Sequence, residues 1–164
     1  MSKITVRRAT SRDWEIVKGI RLESVSVSPD AFGSSVSDIE AITLQEWHIR
    51  LDSGAWFILD ADSAPRGMCR LGAYRYRGVR ELGLYSMYVS PELRGTGAAH
   101  QLLSVAETWA KQNGFARIFL DVVEGNSRAE AFYVREGFRF TGDTLTFDND
   151  SSRVLKVMNK PCTL

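Results

Sequence analysis

A chain of 164 residues with 21 Lys+Arg against 20 Asp+Glu and 44% hydrophobic content is long enough for one domain with a proper core. A net charge of +1 leaves no basic footprint for nucleic acid or anionic membrane, and no apolar run approaches the length of a membrane span. The charged fraction of 25% is that of an ordinary globular protein, which argues against disordered, collagen-like and coiled-coil readings. Cys69 and Cys162 lie far apart, without the paired spacing or neighbouring histidines of a zinc site, so no metal is expected and a reduced, cytoplasmic protein is the simpler reading. The opening residues lack the apolar stretch of a signal peptide.

In chain order, Ile4, Val6 and Arg8 alternate with Thr5 and Arg7 as a first strand. Ser11 and Asp13 then offer capping oxygens for a helix over 13–27, on which Trp14, Val17, Ile20, Arg21 and Ser24 recur at helical spacing until Pro29 stops it. A second helix is predicted from Asp38 to Leu51. Phe32, in the connector between them, is either a plug for the core or part of a pocket wall, with the core favoured. Three runs of strand character follow, Ala55–Ala61, Gly67–Tyr76 and Arg80–Val89, joined by turn chemistry at 62–67 and at Arg77-Gly78. Gly97 to Asn113 carries an apolar stripe of Ala99, Leu102, Leu103, Ala106, Trp109 and Ala110, and Gly114 suits its end. A strand at 118–123, a short helix from Asn126 to about Arg135, and two strands around Asp148-Asn149-Asp150-Ser151 complete the order β-α-α-β-β-β-α-β-α-β-β. The crossover through the 97–113 helix demands parallel pairing. The expected fold is therefore a single α/β domain over 1–164 with a mixed sheet flanked by helices.

Arg94-Gly95-Thr96-Gly97-Ala98-Ala99 joins a strand to a helix N-terminus, where small residues let backbone N–H groups approach an anion. No Lys-Ser/Thr pair follows, which disfavours nucleotide hydrolysis, and His100 stands where a dinucleotide fingerprint needs its third glycine. Asp121, at a tempting distance for a ribose, lies inside its strand rather than at the end.

The stretch Leu84 to Ala99, containing Arg94-Gly95-Thr96-Gly97-Ala98, resembles the acetyl-CoA-binding motif Q/R-x-x-G-x-G/A of the GCN5-related N-acetyltransferases, and Glu124 to Phe138 is similar to that family's second conserved block. The resemblance spans nearly the whole chain. It implies acetyl-CoA as co-substrate, with pantetheine amides pairing with the backbone of Met87, Tyr88 and Val89. The pyrophosphate would lie on Arg94, Gly95, Thr96, Gly97, Ala98 and Ala99, and Asn126 would reach the pantetheine arm while also capping its helix.

The same resemblance implies direct acetyl transfer to a primary amine in a ternary complex, with Tyr133 as general acid toward the thiolate; Tyr133 also fits a core tyrosine. Many relatives carry a glutamate where this chain has Gly83, so Glu81, on the same strand face, becomes the candidate base, with Glu124 second. The acceptor is expected to be a small-molecule amine. The alternatives are a peptide or protein N-terminus, or a non-catalytic acyl-CoA sensor. Homodimers are common in the family, and nothing in this chain specifies the surface.

Cys69 reads as a small core hydrophobe, His48 and His100 as helix-surface residues, and the tryptophans at 14, 47 and 109 as core. Between Glu23 and Asp62 stand eight carboxylates and a single cation, Arg50, whereas Arg66, Arg70, Arg75, Arg77 and Arg80 cluster on the meander. If the acidic stretch rims the acceptor pocket it favours a cationic amine; otherwise it is a solvated face.

Overall fold

The computed structural model describes residues 1–74 and 81–162. Among the described residues seven strands form one sheet: β1 (Ile4–Arg8), β2 (Ala55–Ala61), β3 (Ala64–Ala73), β4 (Glu81–Val89), β5 (Arg117–Val123), β6 (Arg139–Phe147) and β7 (Asp150–Pro161). Their spatial order is β1-β2-β3-β4-β5-β7-β6. The β4–β5 pair is parallel and the others are antiparallel, as the crossover requires. The helices are α1 (Trp14–Val27), α2 (Val36–Glu40), α3 (Leu44–Asp52), α4 (Ala98–Gln112) and α5 (Ser127–Arg135).

The helix predicted over 38–51 is in fact two. Ser35 and Asp38 form one reciprocal capping box and Thr43 and Glu46 a second, so the chain closes one short helix and starts another two residues past Ala41. The turn after β2 is also tighter than expected. Asp62 and Ser63 both take positive φ (50° and 67°), the conformation of a two-residue hairpin, and β3 therefore begins at Ala64 rather than Gly67. The predicted end of that strand at Tyr76 and the Arg77-Gly78 turn lie outside the described residues, as do Arg75 and Arg80 of the basic cluster.

At the edge β6 is largely exposed, whereas both faces of the central strands are buried. On one, Leu102, Leu103, Ala106 and Ala110 of α4 pack fully buried against Phe57, Leu71, Leu84 and Leu120; each such leucine contributes roughly 1.5–3 kcal/mol. On the other, Val17 and Ile20 of α1 and Trp47 and Leu51 of α3 cover Trp56, Ile58, Met68 and Tyr88. Trp47 is core as expected, Trp14 only packs against its margin, and Trp109 is half-buried with its ring 6.0 Å from Phe115. Cys69 is buried within the α4-side core.

Candidate active site

Parallel pairing of β4 with β5 runs from Glu81↔Arg117 to Gly83↔Phe119 and ends there. What parts the strands is visible on the other edge of β4. Met68 of β3 faces Tyr88 and Arg70 faces Tyr85, so Cys69 alone spans both Ser86 and Met87. That is a β-bulge, and Ser86 takes φ 53°, a value rare for a residue with a side chain. Arg21 of α1 donates to the Ser86 hydroxyl at 2.9 Å and so braces the bulge from the helix layer.

A cavity of about 810 Å³ opens in the gap. Toward α4 and α5 its wall includes Leu84, Val122, Asn126, Ala129 and Tyr133; toward α1 and α3 it includes Phe32, Trp47, Trp56, Arg70 and Tyr85. One continuous space thus passes through the sheet, with one chamber on each side.

The glycine loop follows the end of β4, beyond the residues that line the cavity. A single helical turn, Pro91–Leu93, ends β4, and Gly95 and Gly97 then take φ 77° and 87°; a Cβ at either would point into open space. Gly97 is the N-cap of α4. No acidic residue occupies that first turn, and apart from a long 3.4 Å contact from the Ala98 N–H to the Thr96 hydroxyl no side chain caps it, so the positive helix end is offered to an anion. Arg94 adds a guanidinium; burial and the nearby Arg128 lower its pKa, which places two cations by the same loop. These features suit a phosphate-bearing ligand. Asn126 caps α5, its side-chain oxygen accepting from the Ala129 N–H at 3.3 Å, and also lines the cavity.

Tyr133 reaches the cavity from α5, its ring edge-on to Phe132 and Phe138 at 5.3 and 5.6 Å. Burial, with the Cys69 thiol beside it, pushes its phenol well above the ordinary range. The phenol therefore carries its proton throughout the neutral range. Met87 packs beside the α4-side core, whereas the Tyr88 ring turns into the opposite core, where burial and the Glu23 carboxylate raise it to about 12.

Glu81 stands at the paired end of β4, opposite Arg117, and does not line the cavity. Nor does Glu124. Gly83 has a local reason to lack a side chain. A Cβ there would lie 2.6 Å from the ring of Tyr85, which folds back over it and donates from its hydroxyl to the Ala73 carbonyl at 3.0 Å. Asp121, set aside in the sequence for lying within its strand, is on the cavity wall just beyond the parting point, and accepts from the Tyr74 hydroxyl at 2.7 Å.

The second chamber is roofed. Asn149, in the β6–β7 turn, donates to the Gly33 carbonyl at 3.0 Å, and Arg153 donates to the carbonyls of Phe32 and Asp30. The ring of Phe147 lies against Gly33 so closely that a Cβ there would be 2.8 Å away. Phe32 is therefore pocket wall, packed at the edge of the core rather than plugged into it.

The acidic stretch is not the rim of this chamber. Of its carboxylates only Asp38 lines the cavity; Glu46 completes a helix cap, Asp60 pairs with Arg7, Asp62 accepts from the Lys3 N–H, and Glu23 accepts from Ser90. Arg21, Arg50 and Arg70 line it instead. His48 is exposed, and the exposed His100 meets Glu136 at 2.8 Å.

A strand pair parted by a bulge above a glycine-rich helix start invites comparison with known acetyltransferases. The family model described as the acetyltransferase (GNAT) family matches residues 18–138. The chain belongs to the GNAT family. Over 72 residues it is 39% identical to an uncharacterized N-acetyltransferase of Mycobacterium tuberculosis, a stretch covering 42% of this chain and 43% of that relative. The match thus spans under half the length of that curated relative. An N-acetyltransferase from Staphylococcus aureus Mu50 superposes with a TM-score of 0.80 at 19% identity, over 99% of this chain and 100% of the other. A Salmonella typhimurium acetyltransferase, solved with acetyl-CoA, gives 0.79 at 19% identity over 99% and 96%. At such identities the likeness is one of fold, and the whole length of this GNAT chain shares it.

Proposed function

We propose that this protein is an acetyl-CoA-dependent N-acetyltransferase that acts on the primary amine of a small molecule. The observation that carries the reading is the cavity at the gap between β4 and β5, walled by Asn126, Ala129 and Tyr133 on one side of the sheet and by a roofed chamber on the other, with the glycine loop following the end of the same β4 strand. Acetyl-CoA supplies an acetyl group already activated as a thioester. Positioning of amine and carbonyl across the parted strands then accounts for much of the rate.

In this reading the β4 segment Met87, Tyr88 and Val89 pairs with the pantetheine arm, Asn126 meets it from α5, and the loop from Arg94 to Ala99 holds the pyrophosphate. The amine nitrogen bonds to the acetyl carbon as the carbon–sulfur bond breaks. The sulfur takes a proton from Tyr133, and the nitrogen yields one to Asp121, directly or through water. Asp121 takes the base role in place of Glu81 because it stands on the cavity wall at the gap and Glu81 does not.

The roof supports a small acceptor over a peptide. Asn149, Arg153 and Phe147 tie the β6–β7 hairpin across the 30–33 connector, where an extended chain would need an open groove. The test is thiol release from acetyl-CoA over a panel of amines, with the acetylated product identified by mass. Release with small amines supports the reading, and turnover confined to peptide N-termini refutes it.

A further inference from the structure

Three guanidinium groups enter the second chamber from three different elements: Arg21 from α1, Arg50 from the last turn of α3, and Arg70 from β3. Their convergence is built into the fold. Register places Trp56, Arg70 and Tyr85 side by side on adjacent strands, and the Arg70 guanidinium lies over both rings, 5.4 Å from Trp56 and 4.7 Å from Tyr85. Arg21 is fixed by its bond to Ser86.

Among the described residues no Asp or Glu lies within ion-pair distance of any of the three. The carboxylates that share the cavity are otherwise engaged. Asp38 serves its helix cap, Asp121 accepts from Tyr74, and Asp148 also has partners of its own. Glu46, one turn before Arg50, feels that arginine but is committed to the Thr43 cap. Burial, then the like charges of Arg70 and Arg50, lower the Arg21 pKa to about 10. Cations held together at such cost, with rings stacked on one of them, form a receptor for an anion.

We infer that the acceptor carries a carboxylate as well as its amine, and that Arg70 with Arg21 and Arg50 binds this carboxylate while the amine faces the gap between β4 and β5. This specifies the substrate class of the acetyltransferase reading and rests on it. The chamber's other walls, Trp47, Trp56, Phe32 and Ile42, are apolar, so amino acids with an apolar body fit it best. The carboxylate belongs to the acceptor rather than to the acyl group because the arginines stand on the α1–α3 side of the sheet, and Tyr133 on the side of α4 and α5.

The experiment compares matched pairs: glycine, β-alanine, leucine and phenylalanine against their carboxamides, with acetyl-CoA and, separately, succinyl-CoA as donor. Carboxamides have the more readily deprotonated amine, so intrinsic reactivity opposes the predicted preference. The expected result is at least a tenfold higher kcat/KM for one or more of the carboxylates, carried by KM, and reduced toward unity in Arg70→Gln. The exposed Arg50→Gln gives the same trend more weakly and covers the case in which Arg70→Gln does not fold. Calorimetry on the CoA-bound enzyme adds a readout free of turnover: N-acetyl amino acids should bind at least tenfold more tightly than their amides. Equal use and equal binding of the paired compounds would overturn the inference while thiol release on amides leaves the acetyltransferase intact. Failure of every amine to release thiol would strike the enzyme reading itself, with calorimetry still deciding the carboxylate. A gain with succinyl-CoA that Arg70→Gln abolishes would move the anion to the acyl donor and overturn the assignment to the acceptor.

Discussion

Replacing Tyr133 with phenylalanine removes one oxygen and leaves the ring's edge-on contacts with Phe132 and Phe138 in place, so the fold and CoA affinity should hardly change. The chemistry should change. Burial keeps the phenol protonated, which makes it a donor and not a base at any neutral pH. General-acid catalysis contributes about 10²–10⁴-fold. A thiol leaving group with a pKa of about 8.5 needs less help than an alkoxide, so the lower end applies, on the order of 10² in kcat or about 2.7 kcal/mol. The pH dependence is distinctive: above about pH 8.5 the thiolate departs without a proton, and the gap between wild type and Tyr133→Phe should narrow as pH rises. The assay is thiol release with a saturating amine across pH 6.5 to 9.5, beside calorimetric titration with CoA. Wild-type turnover of Tyr133→Phe at neutral pH would refute the role, and a deficit that does not vary with pH would point to lost packing instead.

Gly97→Val puts a β-branched residue at φ 87°, which should cost roughly 1–2 kcal/mol in strain and weaken CoA binding measured by calorimetry. Gly83→Glu, the change that installs the glutamate of many relatives, drives a Cβ to 2.6 Å from Tyr85; it should lower stability by about 1–3 kcal/mol in denaturant melts and bring no gain in rate. Asn126→Ala removes a helix cap and a cavity contact together, costing about 1 kcal/mol in stability and raising KM for acetyl-CoA. Ser35 and Thr43 backbone N–H groups hold Asp38 and Glu46 below their ordinary values. Because both carboxylates are depressed in the folded chain, their stabilisation is present above the ordinary carboxylate range and is lost as pH falls through and below about 4. The double variant Asp38→Asn, Glu46→Gln should flatten the acid slope of the thermal midpoint, and an unchanged slope would contradict the capping account.

The strand and helix periods, read along the chain, carry the architecture because they follow directly from which faces are buried: β1 and α4 lie where alternation and the apolar stripe put them. The split of the second helix was also legible, in Ser35-x-x-Asp38 and Thr43-x-x-Glu46, but the apolar spacing across both boxes conceals the break. The glycine loop could be read because its requirement is local. The acceptor chamber could not, because its walls come from α1, the 30–33 connector, β3 and the β6–β7 turn, which only the folded sheet brings together. Arg21 was the one local sign, a cation within the apolar recurrence of its helix. Charge counted along the chain left rim and solvated face as alternatives for a related reason. Helix caps and strand-edge contacts engage Asp38, Glu46, Asp60 and Asp62, half of the 23–62 carboxylates, whereas three dispersed arginines line one cavity.

The most direct test of the account is mass analysis of amines incubated with this protein and acetyl-CoA, with free thiol counted in the same samples. An acetylated amine formed in step with released thiol, and lost together with it in Tyr133→Phe at neutral pH, is the predicted result. Saturable CoA binding with no acetylated product from any small amine or peptide would contradict it and leave the cavity a sensor's pocket.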